Sequence, residues 1–340
     1  MSSPRVTLKD IALACGYSAN TVSRALRNDA MLSEATRGLI RETAKKMGYI
    51  PNTMASSLRS GRSRMIAVIV NDLHNQHYCD LINRMDAALR RENYTLMIFC
   101  MQLDDSLAEK LIHSAISLSV DGILYFPCFG QQHYVEYMID NRMPFLLLDR
   151  RLDNVEADLV RNDDEQGGYL AGRHLAALGH RRFLFLSGVE KSSSQVDRLG
   201  GFLRALDDCG IPRENVRIVP GAAVEDAVAH ERIGELVFPM DYSAIVSFRD
   251  EVAYPVMQVL RECGVSIPED VSIISFDNLR GTDPTRPFLT SIYTDGQNIA
   301  ELGVRMLLER IADPELPPRN MILPVRIFDQ GTTAQPKPAP

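Results

Sequence analysis

The sequence predicts a small all-α head, residues 1–51, joined by a linker to an α/β body whose parallel sheets form two doubly wound lobes. Three observations carry that reading. Short, capped helical patterns fill the first segment and leave no room for strands. Charge is divided unevenly: residues 1–64 hold eleven Lys/Arg against four Asp/Glu, net +7, and the remainder holds 26 against 40, net −14. From Met65 onward, β-rich apolar runs alternate with amphipathic helices, and the pattern restarts at Arg182.

The head divides into three helices. Thr7 is placed to cap the first, with Asp10 as its capping-box partner and Leu8, Ile11 and Ala12 on the apolar face. Gly16-Tyr17 breaks it. Ser18 caps a second helix over Ala19–Leu26, with Val22, Ala25 and Leu26 inward. Ser33 caps a third, with Leu39, Ile40, Ala44 and Met47 at helical spacing before Gly48. Two helices joined by a tight glycine turn, with a supporting third, form a helix-turn-helix. Residues 52–58 offer an Asn start and two apolar positions, and Ser60–Arg64 reads as linker.

In the body, strands are predicted at Ile66–Val70, Leu96–Cys100, Gly122–Phe126, Phe145–Leu148, Phe183–Leu186, Ile245–Phe248 and Val271–Phe276. Helical patterns at Leu81–Arg91, Leu107–Leu118, Gly168–Leu178 and Val252–Cys263 separate most of them. Unbroken apolar strands between amphipathic helices imply parallel sheets covered on both faces. Ligand space then lies at the carboxyl ends of the strands.

Composition narrows the function classes. With 45% hydrophobic and 24% charged residues over 340 positions, the chain reads as two or three globular domains. No apolar run approaches the ~20 residues of a membrane helix, and the start reads as a polar helix rather than a secretory signal, so a cytoplasmic protein is expected. Cys15, Cys79, Cys100, Cys128, Cys209 and Cys263 stand singly and read as reduced thiols. A basic head on an acidic body attracts phosphate with one end only. No G-x-G-x-x-G, P-loop, metal-ligand spacing or Ser/His/Asp set points to an enzyme, and no cofactor is implied.

Several stretches, in this order and spacing, resemble the lactose-repressor/galactose-repressor (LacI/GalR) family over nearly the whole chain. In the head these are TLKDIALACGYSANTVSRALRN (7–28) and YIPNTMASSLRSGRSRMIAVIV (49–70). In the body they include LLLDRR (146–151), GRHLAALGHRRFLFLSG (172–188), IPEDVSIISFDN (267–278) and ILPVRIFDQGTT (322–333). The resemblance implies a periplasmic-binding-protein-like body, residues 65–334. Lobe 1 spans about 65–161 and 290–323, lobe 2 about 162–289 and 324–334, and 335–340 is a disordered tail.

For the head, the resemblance places the second helix in the major groove, with Ala19, Asn20 and Arg24 toward base edges. Arg pairs bidentately with guanine and Asn with adenine, so the chemistry suits direct readout. A phosphate contact is the alternative for Arg24. Thr7, Ser18, Thr21 and Ser23 become phosphate-positioning groups, although Ser18 also serves as a plain cap. Arg27 stands where the family commonly has Asn and reads as a phosphate contact. Residues 52–64 resemble the family's hinge helix and linker, too short to be stable alone. There Asn52 begins the segment, Leu58 is the apolar wedge for the minor groove and Ala55 lies beside it.

For the body, the resemblance implies a small-molecule effector (a sugar, sugar acid or sugar phosphate) held by His77, Tyr78, Asp149, Arg198, Arg249 and Asp277. A structural ion pair is the alternative for Arg198. His77 and Tyr78 sit where the family often has an Asn-Pro-aromatic-aromatic stretch after the first strand, a pattern from which Gln76 and His77 depart. Arg249 stands where the family has a small residue, so it either meets an anionic ligand group or pairs with Asp250 or Asp277. The implied protein is a homodimeric repressor of a carbohydrate-use operon that binds double-stranded operator DNA under allosteric control, without a membrane. A periplasmic-type sugar-binding protein and a Rossmann-type enzyme are the rival classes.

Overall fold

The computed structural model describes residues 6–50, 61–101, 106–127, 132–188, 192–281 and 283–337. It divides into two compact units, residues 1–63 and 64–340. The expected hinge residues Asn52, Ala55 and Leu58 lie outside the described residues.

In the first unit, α1 (Leu8–Cys15) begins with the Thr7–Asp10 capping box and ends on Gly16 at φ 73°, a left-handed geometry that glycine adopts at no Cβ cost. Ser18 caps α2 (Ala19–Leu26) and Ser33 caps α3 (Glu34–Lys46), each hydroxyl accepting a backbone N–H three residues on. Ile11, Val22, Ala25 and Ile40 are fully buried where the three helices meet.

The second unit opens with β1 (Met65–Val70), α4 (Gln76–Arg91), β2 (Thr95–Cys100), α5 (Leu107–Ser117) and β3 (Gly122–Tyr125). It continues through α6 (Gln132–Asp140), β4 (Phe145–Leu148), β5 (Leu159–Asn162), α7 (Asp164–Ala177), β6 (Phe183–Leu186) and α8 (Ser193–Asp208). Next come β7 (Val216–Val219), α9 (Gly221–Ala229), α10 (Ile233–Val237), β8 (Ala244–Ser247) and α11 (Asp250–Glu262). Finally β9 (Ser272–Asp277), β10 (Thr290–Tyr293), α12 (Gly296–Ala312), β11 (Asn320–Leu323) and β12 (Arg326–Phe328) complete it.

Two six-stranded sheets result, ordered β11-β5-β4-β3-β1-β2 and β12-β10-β9-β8-β6-β7. All neighbours are parallel except β10 and β12. Separate apolar clusters cover the two faces of each sheet, which explains why the central strands read as unbroken apolar runs. The chain passes between lobes after β5, after β10 and after β11, so α12 packs its Ile299, Ala300, Val304 and Leu307 into lobe 1. In lobe 2, α7 and α8 cross at glycines. A Cβ on Gly168 would lie 1.9 Å from the Arg198 carbonyl oxygen, and one on Gly201 1.9 Å from that of Glu165. Nothing larger fits that crossing, and it sets where α8 presents Arg198.

Two boundaries differ from the sequence reading. Residues 290–293, expected in lobe 1, form β10 and pair with β9 in lobe 2, because Ser291 and Thr290 are buried there among hydrogen-bonding partners. The tail, expected to be disordered from 335, is held through Lys337. The Lys337 ammonium contacts Asp270 at 2.5 Å, and just before the tail Ala334 hydrogen-bonds to Ser272 and His180.

Candidate functional site

In the head, the exposed side of α2 carries Asn20, with Ala19, Thr21, Ser23 and Arg24 partly covered and Arg27 exposed just past its end. The hydroxyls of Ser18 and Thr21 lie 2.8 Å apart, and Ser18 also accepts the Thr21 N–H. Capping therefore already engages Ser18. Thr7 is engaged likewise by Asp10. The Arg24 Nε donates to Asp29 Oδ2 at 2.7 Å, a partner that the sequence reading did not weigh.

In the body, the carboxyl ends of β4 and β9 occupy corresponding places in the two sheets, and each carries an aspartate. Asp149 has φ 68° and Asp277 φ 96°. Left-handed backbone at a non-glycine residue costs about 1–2 kcal/mol and gathers at functional sites.

These aspartates are joined by an ionic cluster. His77 Nε2 lies 3.1 Å from Asp149 Oδ2. Burial alone would lower the imidazole pKa, but the charge and hydrogen bond of Asp149 outweigh it and push His77 up to about 9. Burial works to raise the Asp149 carboxyl, and His77 overrules it, holding it below the ordinary carboxylate range. Arg198, 7% exposed, donates from Nε to Asp164 Oδ1 at 2.7 Å and from Nη1 to the Phe248 carbonyl at 2.6 Å. Its Nη2 stands 3.5 Å from Asp277 Oδ1, and the rings of Phe248 and Phe276 lie 4.7 and 4.5 Å from its guanidinium carbon. Arg198 is thus a buried ion pair, the alternative considered for it, and it stands in the same cluster as Asp277.

Asp250, 1% exposed, accepts the Leu279 N–H at 2.8 Å and the Ser291 hydroxyl at 2.9 Å. Burial, reinforced by the charge of Asp277, pushes its carboxyl up to about 8, so it is largely neutral at pH 7.

Two expectations need correction. Tyr78, expected to face a ligand, is 4% exposed within the lobe 1 core, its ring 5.0 Å from Phe126. It is the third residue of α4, which turns it toward the sheet. Arg249 pairs with neither Asp250 nor Asp277. Its Nη2 lies 2.8 Å from Glu225 Oε1 and its Nε 3.6 Å from Glu251 Oε2, because Asp250 turns inward to the Leu279 and Ser291 donors.

Contacts from lobe to lobe border this cluster. The Gln76 N–H at the start of α4 donates to Glu251 Oε1 at 2.6 Å, and Arg286 donates to the Gln76 side chain. The Arg151 N–H donates to Ser193 Oγ at 3.0 Å, while its guanidinium meets Asp197. A cavity of about 110 Å³ opens beside His77 and Asp277, lined also by Asp80, Arg84, Tyr293 and Gly296. Asp164, Glu251 and Gly296 are members of this region that the sequence reading missed. Asp164 sits in an acidic run that resembles an ordinary helix start, and Gly296 gives no local signal. Among the described residues, no group of three His, Cys, Asp or Glu side chains could hold a metal ion, and no helix is long and apolar enough to cross a membrane.

Comparison with known proteins matches residues 7–52 to the bacterial regulatory proteins of the lacI family, and residues 173–333 to the periplasmic binding protein-like domain. The transcriptional repressor PurR of Vibrio atlanticus is 28% identical over 330 residues, covering 96% of this chain and 98% of that protein. The transcriptional regulator DegA of Bacillus subtilis is 28% identical over 302 residues, covering 88% of each. The lac repressor dimer bound to operator and the anti-inducer ONPF shares the fold, with a TM-score of 0.82, 22% identity and coverage of 97% of this chain and 100% of that one. A LacI family regulator from Enterococcus faecium with bound ribose has a TM-score of 0.69 at 28% identity, covering 80% of this chain and 99% of that one.

Proposed function

We infer from one premise, that this chain belongs to the lacI family of bacterial regulatory proteins, that it is a sequence-specific, dimeric transcriptional repressor released or engaged by a small sugar. The observation that carries the reading is the pairing of a basic, capped helix-turn-helix with a body whose two strand-end aspartates, Asp149 and Asp277, share one ionic cluster. The head supplies phosphate attraction and base readout through Asn20 and Arg24. The body supplies hydroxyl-binding carboxylates between lobes, and closing or opening those lobes changes DNA affinity by the ligand's differential affinity for the two states. The protein works in the cytoplasm, where operator DNA is, and has no catalytic role.

A neutral sugar fits the cluster better than a sugar acid or phosphate. Among the described residues, the cluster's His77, Arg198, Arg249 and Arg84 each already face an internal carboxylate, which works against a further anion on the ligand. The lac repressor dimer is bound to operator, and the Enterococcus regulator to ribose, in support of both partners. The test uses the full chain. Thermal shift with matched neutral sugars, sugar acids and sugar phosphates identifies the class, and mobility shift on genomic fragments with the responding sugar measures release or engagement. A response confined to phosphorylated sugars overturns the neutral-ligand reading, and no DNA retention under any condition overturns the regulator.

A further inference from the structure

Asp29 lies in the turn after α2, and its two carboxylate oxygens do different work. Oδ1 accepts the Met31 N–H at 3.0 Å, and Oδ2 accepts the Arg24 Nε at 2.7 Å. The turn itself is fastened. Asn28 takes a left-handed φ of 64°, the Asp29 N–H bonds to the Arg24 carbonyl at 3.1 Å, and the Asp29 carbonyl accepts Leu32 N–H and Arg37 Nη1 at 3.2 and 3.4 Å. Arg37 is anchored in turn by Glu34 at 2.7 Å. The carboxylate that meets Arg24 is therefore held from α3 and from its own turn rather than dangling from a mobile loop.

We propose that Asp29 is a positioning residue that sets base preference by orienting Arg24. This rests on the DNA-reading role of α2 given above. A free arginine side chain loses much rotamer freedom when it grips a base, and it reaches phosphates as readily as bases. Holding the Nε fixes the plane of the guanidinium and leaves its two terminal amino groups for the O6 and N7 acceptors of one guanine. The same carboxylate cancels part of the charge that would draw Arg24 to the phosphate backbone, so the pair trades non-specific attraction for selectivity.

The two oxygens allow the roles to be separated. Asp29→Asn keeps an Oδ1 acceptor for the Met31 N–H, so the turn survives, but it places an amide donor against the Arg24 Nε. Full-length wild type, Asp29→Asn and Asp29→Ala are each taken through binding selection on a double-stranded DNA pool with a randomised core, followed by competition against single-base variants of the selected site. Wild type should fix one guanine in each half-site. Both variants should select the same site with discrimination at that guanine reduced about five- to tenfold, other positions unchanged, and binding to random DNA equal or tighter. Unchanged preference at the guanine in Asp29→Asn overturns the positioning role. Equal weakening at every position makes Asp29 merely a fold-holding residue and overturns it too. If wild type selects no site, the DNA-reading function itself fails, a result distinct from either.

Discussion

The imidazole of His77 on α4 lies 3.1 Å from the carboxylate of Asp149 at the end of β4, and each keeps the other charged inside lobe 1. The His77 pKa rises from an unfolded value near 6.5 to about 9, so the folded state binds the proton more tightly. Its contribution is therefore fully present below about pH 6.5 and is lost as pH climbs through 9. His77→Gln should cost about 2–3 kcal/mol at pH 6, since it leaves Asp149 buried without its counter-charge. The difference from wild type should shrink between pH 7 and 9.5 in urea titrations. A difference that widens with pH would show that the pair does not hold this proton.

Asp250 has the opposite chemistry but the same sign. Its carboxyl is pushed up to about 8 in the fold by burial and by Asp277, against about 4 when unfolded. The folded state binds the extra proton between those values, so this group makes wild type less stable as pH rises from 4 to 8. Asp250→Asn, close in shape, should gain on wild type over that range by at most about 1.4 kcal/mol per pH unit. Urea midpoints of the two proteins at pH 5 and 8 test it, because the His77 contribution cancels in the difference. Parallel profiles would mean that Asp250 is ionised throughout.

Much of this arrangement was legible in the sequence, and the misses have physical causes. The head's three helices carry their caps in the chain, so Thr7, Ser18 and Ser33 mark their starts directly. Six of the seven strands read from apolar runs are buried along nearly their whole length. The seventh, β2, is a sheet edge with Ile98 51% exposed that was legible because its residues are apolar all the same. The five missed are β5, β7, β10, β11 and β12. β7, β11 and β12 lie at sheet edges with exposed positions, β5 carries Arg161 and Asn162, and β10 buries Thr290 and Ser291 through hydrogen bonds rather than apolarity. Asp149, Arg198 and Asp277 were found by resemblance and do share one cluster. The partners of Arg249 were not, because Glu225 reaches it from α9, a contact that neighbouring sequence cannot reveal.

Arg198, proposed above as part of the sugar site, is at the same time a buried ion pair. Its three nitrogens face Asp164, the Phe248 carbonyl and Asp277, between two phenyl rings. Arg198→Met should lower stability by about 3–5 kcal/mol, since it strands two buried carboxylates. Adding Asp164→Asn should recover about 1–2 kcal/mol of that by removing one stranded charge, while the response to sugar stays absent in both proteins. Calorimetric unfolding with and without sugar reads both effects. A single variant that melts with wild type would show that the guanidinium is not pinned as described.

Gly296, the first residue of α12, bounds the cavity beside His77 and Asp277. Its backbone does not demand glycine. A Cβ there would meet Leu81 Cδ2 at 3.3 Å and Asp80 Oδ2 at 3.6 Å, close but passable contacts at the tips of side chains. A Cβ there needs only a small shift of the Leu81 tip, and a longer side chain would extend along the cavity wall. Gly296→Ala adds one methyl at the rim, and it should bind the sugar within about twofold of wild type, a change of under ~0.5 kcal/mol. Gly296→Leu carries a branched chain on into the 110 Å³ cavity. It should weaken binding at least about thirtyfold, or roughly 2 kcal/mol, with the thermal midpoint nearly unmoved because α12 keeps its Asp295 cap. Calorimetric titration of the three proteins with the sugar found by thermal shift provides the measurement. Undiminished affinity in the leucine variant would place the sugar elsewhere in the cleft, against Asp149 and Arg151, and leave this cavity as packing space only.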